Sequence, residues 1–229
     1  MYRLSTEGTA MLVKICGVSN VIDAQKAIKN GADAIGFVMG GKVLPIEVEP
    51  HAQTVREIIK AFPSKVDSFI VTHLTEVNDI VALAEYVNSS GIQVSEDIGV
   101  QKMKLLRERT QKKIIKTVVV ENEKDVTKLK GYEPYCDFIL LDTKFVGYTG
   151  GTGVTSDWNL CKKLIKEAKK PVFLAGGLTP HNVEEGIRFT NPAGVDVSTG
   201  VSTYCEEYLR KDRKDEDKIK RFIQLAKRK

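Results

Sequence analysis

Most of the usual marks of a metal, redox, membrane or nucleic-acid protein are missing from this chain. It has four cysteines (Cys16, Cys136, Cys161 and Cys205), and none forms a C-x-x-C pair. Its three histidines, His51, His73 and His181, are scattered. No metal-ligand spacing results, and so few cysteines in 229 residues do not make a disulfide scaffold. Reduced thiols in a cytoplasm are the expectation. The opening MYRLSTEGTAML has no apolar h-region, so no secretory signal is expected. No apolar run approaches the length of a membrane span. The net charge is only +5, and the lysines are interleaved with Glu and Asp. Nucleic-acid binding needs basic residues clustered on one face, and only the tail LAKRK is locally basic. A G-x-G-x-x-G dinucleotide loop is also absent after the first apolar run, which reads CGVSN.

What remains is a globular composition, 42% hydrophobic and 28% charged. Eight short apolar runs recur: Leu12–Cys16, Ala34–Met39, Ser68–His73, Gly91–Ser95, Lys113–Val120, Asp137–Asp142, Pro171–Gly176 and Gly194–Ser198. They are rich in Val and Ile and mostly unalternating, as strands buried on both faces are. Between them lie segments of helical periodicity, including VIDAQKAIKNG, HAQTVREIIKAF, VNDIVALAEYVNSSG, QKMKLLRERTQ, SDWNLCKKLIKEAKK and TPHNVEEGIRFT, and DEDKIKRFIQLAKRK closes the chain. Strands alternating with helices predict a parallel α/β fold. Eight repeats in this length favour one (β/α)8 TIM barrel over residues 1–229, with an open doubly wound sheet as the alternative.

In such a barrel the chemistry sits at the C-terminal ends of the strands, and phosphate is often held by the last two loops. The seventh run ends in Gly176 and Gly177, the eighth in Ser198, Thr199 and Gly200. Glycine lets backbone amides approach an anion closely, and a helix start behind adds its dipole. One such glycine turn is only a turn, but a pair on the last two strands predicts a phosphate site. Cys16 ends the first run. A buried cysteine is usually inert core, yet this position faces the mouth. Asp142 ends the sixth run, where a carboxylate has to be hydrogen-bonded, paired or functional. A thiol and a carboxylate there could do general acid–base work. The segment GYTGGTGVTSDW follows, and its Gly150, Gly151, Thr152 and Gly153 are expected to form a lid.

The motifs VKICGVSNVIDAQKAIKNGADAIGFV, LLDTKFVGYTGGTGVTSDW, AGGLTPHNVEEGI, NPAGVDVSTGV and KDEDKIKRFI resemble, in this order, those of the phosphoribosylanthranilate isomerase family of tryptophan biosynthesis. The resemblance implies a cytoplasmic aldose–ketose isomerase without cofactor or metal, acting as monomer or homodimer on a small phosphosugar by an Amadori rearrangement. It implies Cys16 as the base that takes the C2′ proton, Asp142 as the acid that protonates the furanose oxygen, and Gly177, Ser198 and Gly200 at the phosphate. The middle of the chain departs from the family pattern. LPIEVEP places Ile46 where the family has an arginine for the anthranilate carboxylate, and isoleucine offers no donors to match a guanidinium. Lys42 could substitute as a point charge. IQVSE places Ser95 and Glu96 where the family has His and Gly, and an inward Glu96 would repel a carboxylate. A related isomerase or lyase on another phosphosugar, or a non-catalytic phosphate-binding protein, therefore stand as alternatives.

Overall fold

The structure, a computed structural model, describes residues 10–40, 49–143, 157–203 and 214–228. The elements alternate along the chain. They run β1 (Leu12–Ile15), α1 (Val21–Lys29), β2 (Ala34–Met39), α2 (Glu49–Lys60), β3 (Asp67–Thr72), α3 (Val77–Val87), β4 (Gly91–Val94) and α4 (Gly99–Arg109). The second half adds β5 (Lys113–Val120), α5 (Asp125–Tyr132), β6 (Phe138–Thr143), α6 (Trp158–Glu167), β7 (Val172–Leu174), α7 (Val183–Thr190), β8 (Gly194–Val197) and α8 (Glu216–Ala226). Each strand pairs in parallel with the next, and β8 pairs with β1, with Ile15 opposite Val197. The sheet is therefore a closed barrel, and the open doubly wound alternative falls.

Local chemistry sets the helix ends. The Asn20 side chain accepts from the Asp23 amide at the start of α1, and Asp157 and Asp215 do the same for α6 and α8. Helix α1 stops where Gly31, just past its cap, takes φ +93°. Helix α5 was not foreseen from periodicity. Its apolar residues Val126, Leu129 and Tyr132 are diluted by lysines and Gly131. Its first residue, Asp125, folds the preceding turn back onto it, accepting from the amides of Glu121 (2.8 Å) and Asn122 (2.9 Å).

Side chains alternate across each strand, and this sorts the interior. Odd and even positions divide between a large core under the helices and a small one inside the barrel. The inner cluster comprises Ala34, Phe69, Ile115, Leu140, Phe173 and Ala175, with Leu12 and Phe138 against it. Gly91 and Gly194 leave the space these rings occupy, since a Cβ there would lie 2.2 Å from the Phe69 ring and 2.6 Å from the Phe173 ring. Two residues further along the strands the inner face turns polar. Lys14 Nζ meets Asp196 Oδ1 at 2.8 Å, and Gln93 Nε2 donates to Thr117 Oγ1 at 3.2 Å. The apolar layer seals one end, so the polar end is where ligand chemistry can occur.

On the outer face of β5, buried Lys116 donates to the carbonyls of Glu96 (2.8 Å) and Thr117 (2.7 Å) and sits over the Tyr132 ring. The Tyr132 hydroxyl in turn donates to Asp97. This network ties the β4–α4 turn to α5. Burial pushes the Lys116 ammonium down to about 8. No helix among the described residues is long and apolar enough to cross a membrane.

Candidate active site

Cys16 lies one residue past β1, and its amide donates to the Val197 carbonyl at 2.8 Å. It is 6% exposed and shares the inner face with Leu12 and Lys14. Gly36 of β2 faces both functional groups. A Cβ on Gly36 would lie 2.9 Å from Cys16 Sγ and 2.9 Å from Lys14 Nζ. Thiol and ammonium thus converge on the space one missing methyl leaves open. Burial holds the Cys16 thiol above its ordinary value, the Asp196 carboxylate adds to that rise, and Lys14 and Lys214 offset it only in part. Burial also opposes the Lys14 cation, but Asp196 and Cys16 outweigh it and hold Lys14 above the ordinary lysine value.

Asp142 is half-buried and next to last in β6. Leu141 belongs to the outer core and Leu140 to the inner cluster, so alternation aims Asp142 inward. The same reasoning turns Val38 of β2 and Val119 of β5 into the mouth, because their neighbours Phe37, Met39, Val118 and Val120 all pack outward. Val38 is 46% exposed and Val119 37%. These are apolar walls open to a ligand, and Val119 lies opposite Asp142 in the sheet register.

The β7 and β8 ends form the second half of the site. Gly176 and Gly177 both take positive φ, +81° and +66°, a backbone that β-branched or bulky residues do not adopt at low cost. The Asn182 side chain locks this loop, donating to the Gly177 carbonyl (3.0 Å) and accepting from the Thr179 amide (2.8 Å). Ser198 leads into a short 3-10 turn, Thr199–Val201, whose first amides have no acceptor within the turn. A Cβ on Gly200 would lie 1.9 Å from the Leu178 carbonyl oxygen. Gly200 is therefore required by the backbone contact between the two loops, in addition to any ligand approach. Lys214, 2% exposed, reaches under Ser198 and donates to its carbonyl at 3.1 Å and to Ser202 Oγ at 3.1 Å.

Other expected positions behave differently. Glu96 does not stand alone at the mouth, because Glu96 Oε1 is 3.1 Å from His73 Nδ1 at the end of β3. Ser95 is half-buried beside it. Gly150, Gly151, Thr152 and Gly153 lie outside the described residues, as do Lys42 and Ile46. Sequence reasoning passed over Lys14, Asp196, Lys214 and His73. Lys14 and Asp196 carried a signal, each being a charge inside an apolar strand run, VKI and VDV.

A family model described as N-(5′-phosphoribosyl)anthranilate (PRA) isomerase matches residues 13–225. The N-(5′-phosphoribosyl)anthranilate isomerase of Methanosarcina acetivorans is 33% identical over 93% of this chain and 91% of its own. The crystal structure of phosphoribosyl anthranilate isomerase from Thermotoga maritima superposes with a TM-score of 0.80 at 33% identity, covering 95% of this chain and 98% of that one. A phosphoribosyl anthranilate isomerase in complex with reduced 1-(o-carboxyphenylamino)-1-deoxyribulose 5-phosphate gives 0.77 at 31% identity, over 95% and 98%. The barrel and these matches agree: the chain belongs to the N-(5′-phosphoribosyl)anthranilate isomerase family.

Proposed function

We propose that this protein converts N-(5′-phosphoribosyl)anthranilate to 1-(2-carboxyphenylamino)-1-deoxyribulose 5-phosphate, the aldose–ketose isomerisation of tryptophan biosynthesis. The observation that carries this reading is the placement of Cys16 and Asp142 on the inner face at the C-terminal ends of β1 and β6, beside the glycine loops of β7 and β8. Asp142, in its protonated form, gives a proton to the furanose ring oxygen. The C1′–O bond breaks, and the nitrogen lone pair moves in to form an iminium ion. Cys16, as thiolate, takes the C2′ proton, and the C–H electron pair becomes the C1′–C2′ double bond of an enolamine, which tautomerises to the ketone. General acid–base groups of this kind contribute about 10²–10⁴ each.

The phosphate sits on Gly176, Gly177 and the turn Ser198–Thr199–Gly200, where Lys214 adds positive charge from below. Val38 and Val119 flank the aromatic ring. The pairing of Glu96 with His73 reduces the repulsion that a lone carboxylate would exert on anthranilate. With family membership, this favours anthranilate over another aglycone. We place the reaction in the cytoplasm, consistent with the buried, reduced thiols of Cys16 and Cys136.

Turnover of the substrate by Cys16→Ser and Asp142→Asn tests the roles. Each variant is expected to lose roughly 10²-fold or more in kcat with a KM within a few-fold of the parent. Near-normal rates in both would remove these two residues from the chemistry.

A further inference from the structure

A thiol makes a poor base unless it is ionised, and burial opposes ionisation. Cys16 is buried just past the C-terminal end of β1, so burial alone would leave it protonated and inert. What distinguishes it is the group beneath. Lys14 lies two residues earlier on the same face, with no exposed surface. Its Nζ and the Cys16 sulfur stand at equal distance, 2.9 Å, from the Cβ position that Gly36 leaves empty. Asp196 holds Lys14 from β8 at 2.8 Å. Burying an ion pair costs desolvation, and an apolar pair of similar volume is often at least as stable. The lower layer of this same barrel is apolar. A lysine and an aspartate directly beneath the thiol are thus not needed to fill the barrel.

We propose that Lys14, anchored by Asp196, is a positioning residue that lets the sulfur of Cys16 ionise more readily than its burial alone would allow, so that it can accept a proton. The proposal rests on the isomerase reading for the proton's source, though not for the sulfur's ionisation. Asp196 fixes the ammonium against β8 and keeps it charged. Gly36 supplies the space in which ammonium and sulfur meet. When the thiolate takes the substrate proton, an S–H bond forms, a C–H bond breaks, and the pair left on carbon enters the enolamine. Lys14 remains protonated throughout. The charged groups acting on the sulfur are Lys14 from its own strand, Asp196 from β8 and Lys214 ahead of α8. The two lysines favour the anion and Asp196 opposes it. Lys14 is the one in the stronger position, since it also hydrogen-bonds the sulfur.

The test is the pH dependence of Cys16 alkylation by iodoacetamide, read peptide by peptide by mass spectrometry so that the other cysteines do not interfere. An opposite charge at this range favours the ionised form by about ten- to a thousand-fold. Lys14→Met is therefore expected to slow Cys16 alkylation at neutral pH at least tenfold and move its midpoint to higher pH. With substrate, kcat should fall while KM stays within a few-fold, and the acidic limb of the rate profile should move up with the thiol. Lys14→Met leaves Asp196 unpaired and could fail to fold. The double variant Lys14→Met/Asp196→Leu removes both charges and keeps an apolar fill, and it should show the same loss of alkylation in a folded protein. Wild-type alkylation profiles in either folded variant would overturn the proposal. The alkylation needs no substrate. If the protein failed to act on phosphoribosylanthranilate while Lys14 still controlled the sulfur, the substrate assignment would fall and this proposal would stand.

Discussion

Gly36→Ala adds one methyl group at the point where the proposed catalytic machinery converges. That methyl carbon would lie 2.9 Å from Cys16 Sγ, 2.9 Å from Lys14 Nζ and 3.2 Å from Lys14 Cε. Ordinary contacts between heavy atoms fall at about 3.5–4.0 Å, so sulfur and ammonium must each retreat by roughly 0.6–1 Å. Neither retreats easily. Lys14 is tied to Asp196 and has no exposed surface. The Gly36 backbone is fixed between β1 and β3, opposite Phe69 in the register with β3. Overpacking of this size costs about 1–3 kcal/mol of stability. A reacting group misplaced by about 1 Å costs around 100-fold in rate, or roughly 2.7 kcal/mol of barrier. The phosphate loops lie on β7 and β8, away from the change, so KM should hold within a few-fold. Steady-state kinetics and denaturant unfolding of the variant read both effects. An alanine variant with parental kcat and parental stability would refute the convergence of thiol and lysine on Gly36.

Two further outcomes follow from the geometry. Gly200→Ala would set a methyl 1.9 Å from the Leu178 carbonyl oxygen, backbone against backbone, so the two phosphate loops must separate. KM should rise at least tenfold and thermal stability should fall; an unchanged KM in a folded variant would show that the loops do not act as one grip. Lys116 carries the pH prediction. Its ordinary value is 10.5 and burial holds it at about 8 in the folded chain. Between those values the unfolded chain binds more protons, so this residue makes stability rise with pH from about 8 to about 10.5, by up to about 3 kcal/mol. Lys116→Met should lose that rise when denaturant unfolding is compared near pH 7 and pH 10, and an identical pH dependence in parent and variant would refute the burial of the ammonium.

The barrel was legible because its strands are short, Val- and Ile-rich and unalternating, and their ends fall within one or two residues of those expected. Cys16 and Asp142 stood out because each breaks an apolar run where a strand ends. Lys14 and Asp196 sit inside such runs and were passed over, although alternation alone puts Lys14 on the face of Cys16. The partner of Glu96 was not legible for another reason. His73 is 23 residues away, and the two meet only because β3 and β4 pair with Thr72 opposite Val94. Gly200 was read as an opening for an anion, and its contact with Leu178 belongs to tertiary packing that no local pattern carries. Helix α5 was hidden because its apolar residues are diluted by lysines and Gly131 and no capping residue precedes it; the N-cap Lys124 makes no side-chain cap hydrogen bond.

The central claim is that this chain moves a proton within phosphoribosylanthranilate and opens its ring. The most direct measurement mixes purified protein with freshly prepared N-(5′-phosphoribosyl)anthranilate, follows the loss of substrate fluorescence, and identifies the product by mass before and after borohydride. The account predicts accelerated conversion to a compound of unchanged mass that gains two hydrogens on reduction, as an aminoketose must. Fluorescence that decays no faster than in buffer, or a product lacking that reducible carbonyl, would contradict it.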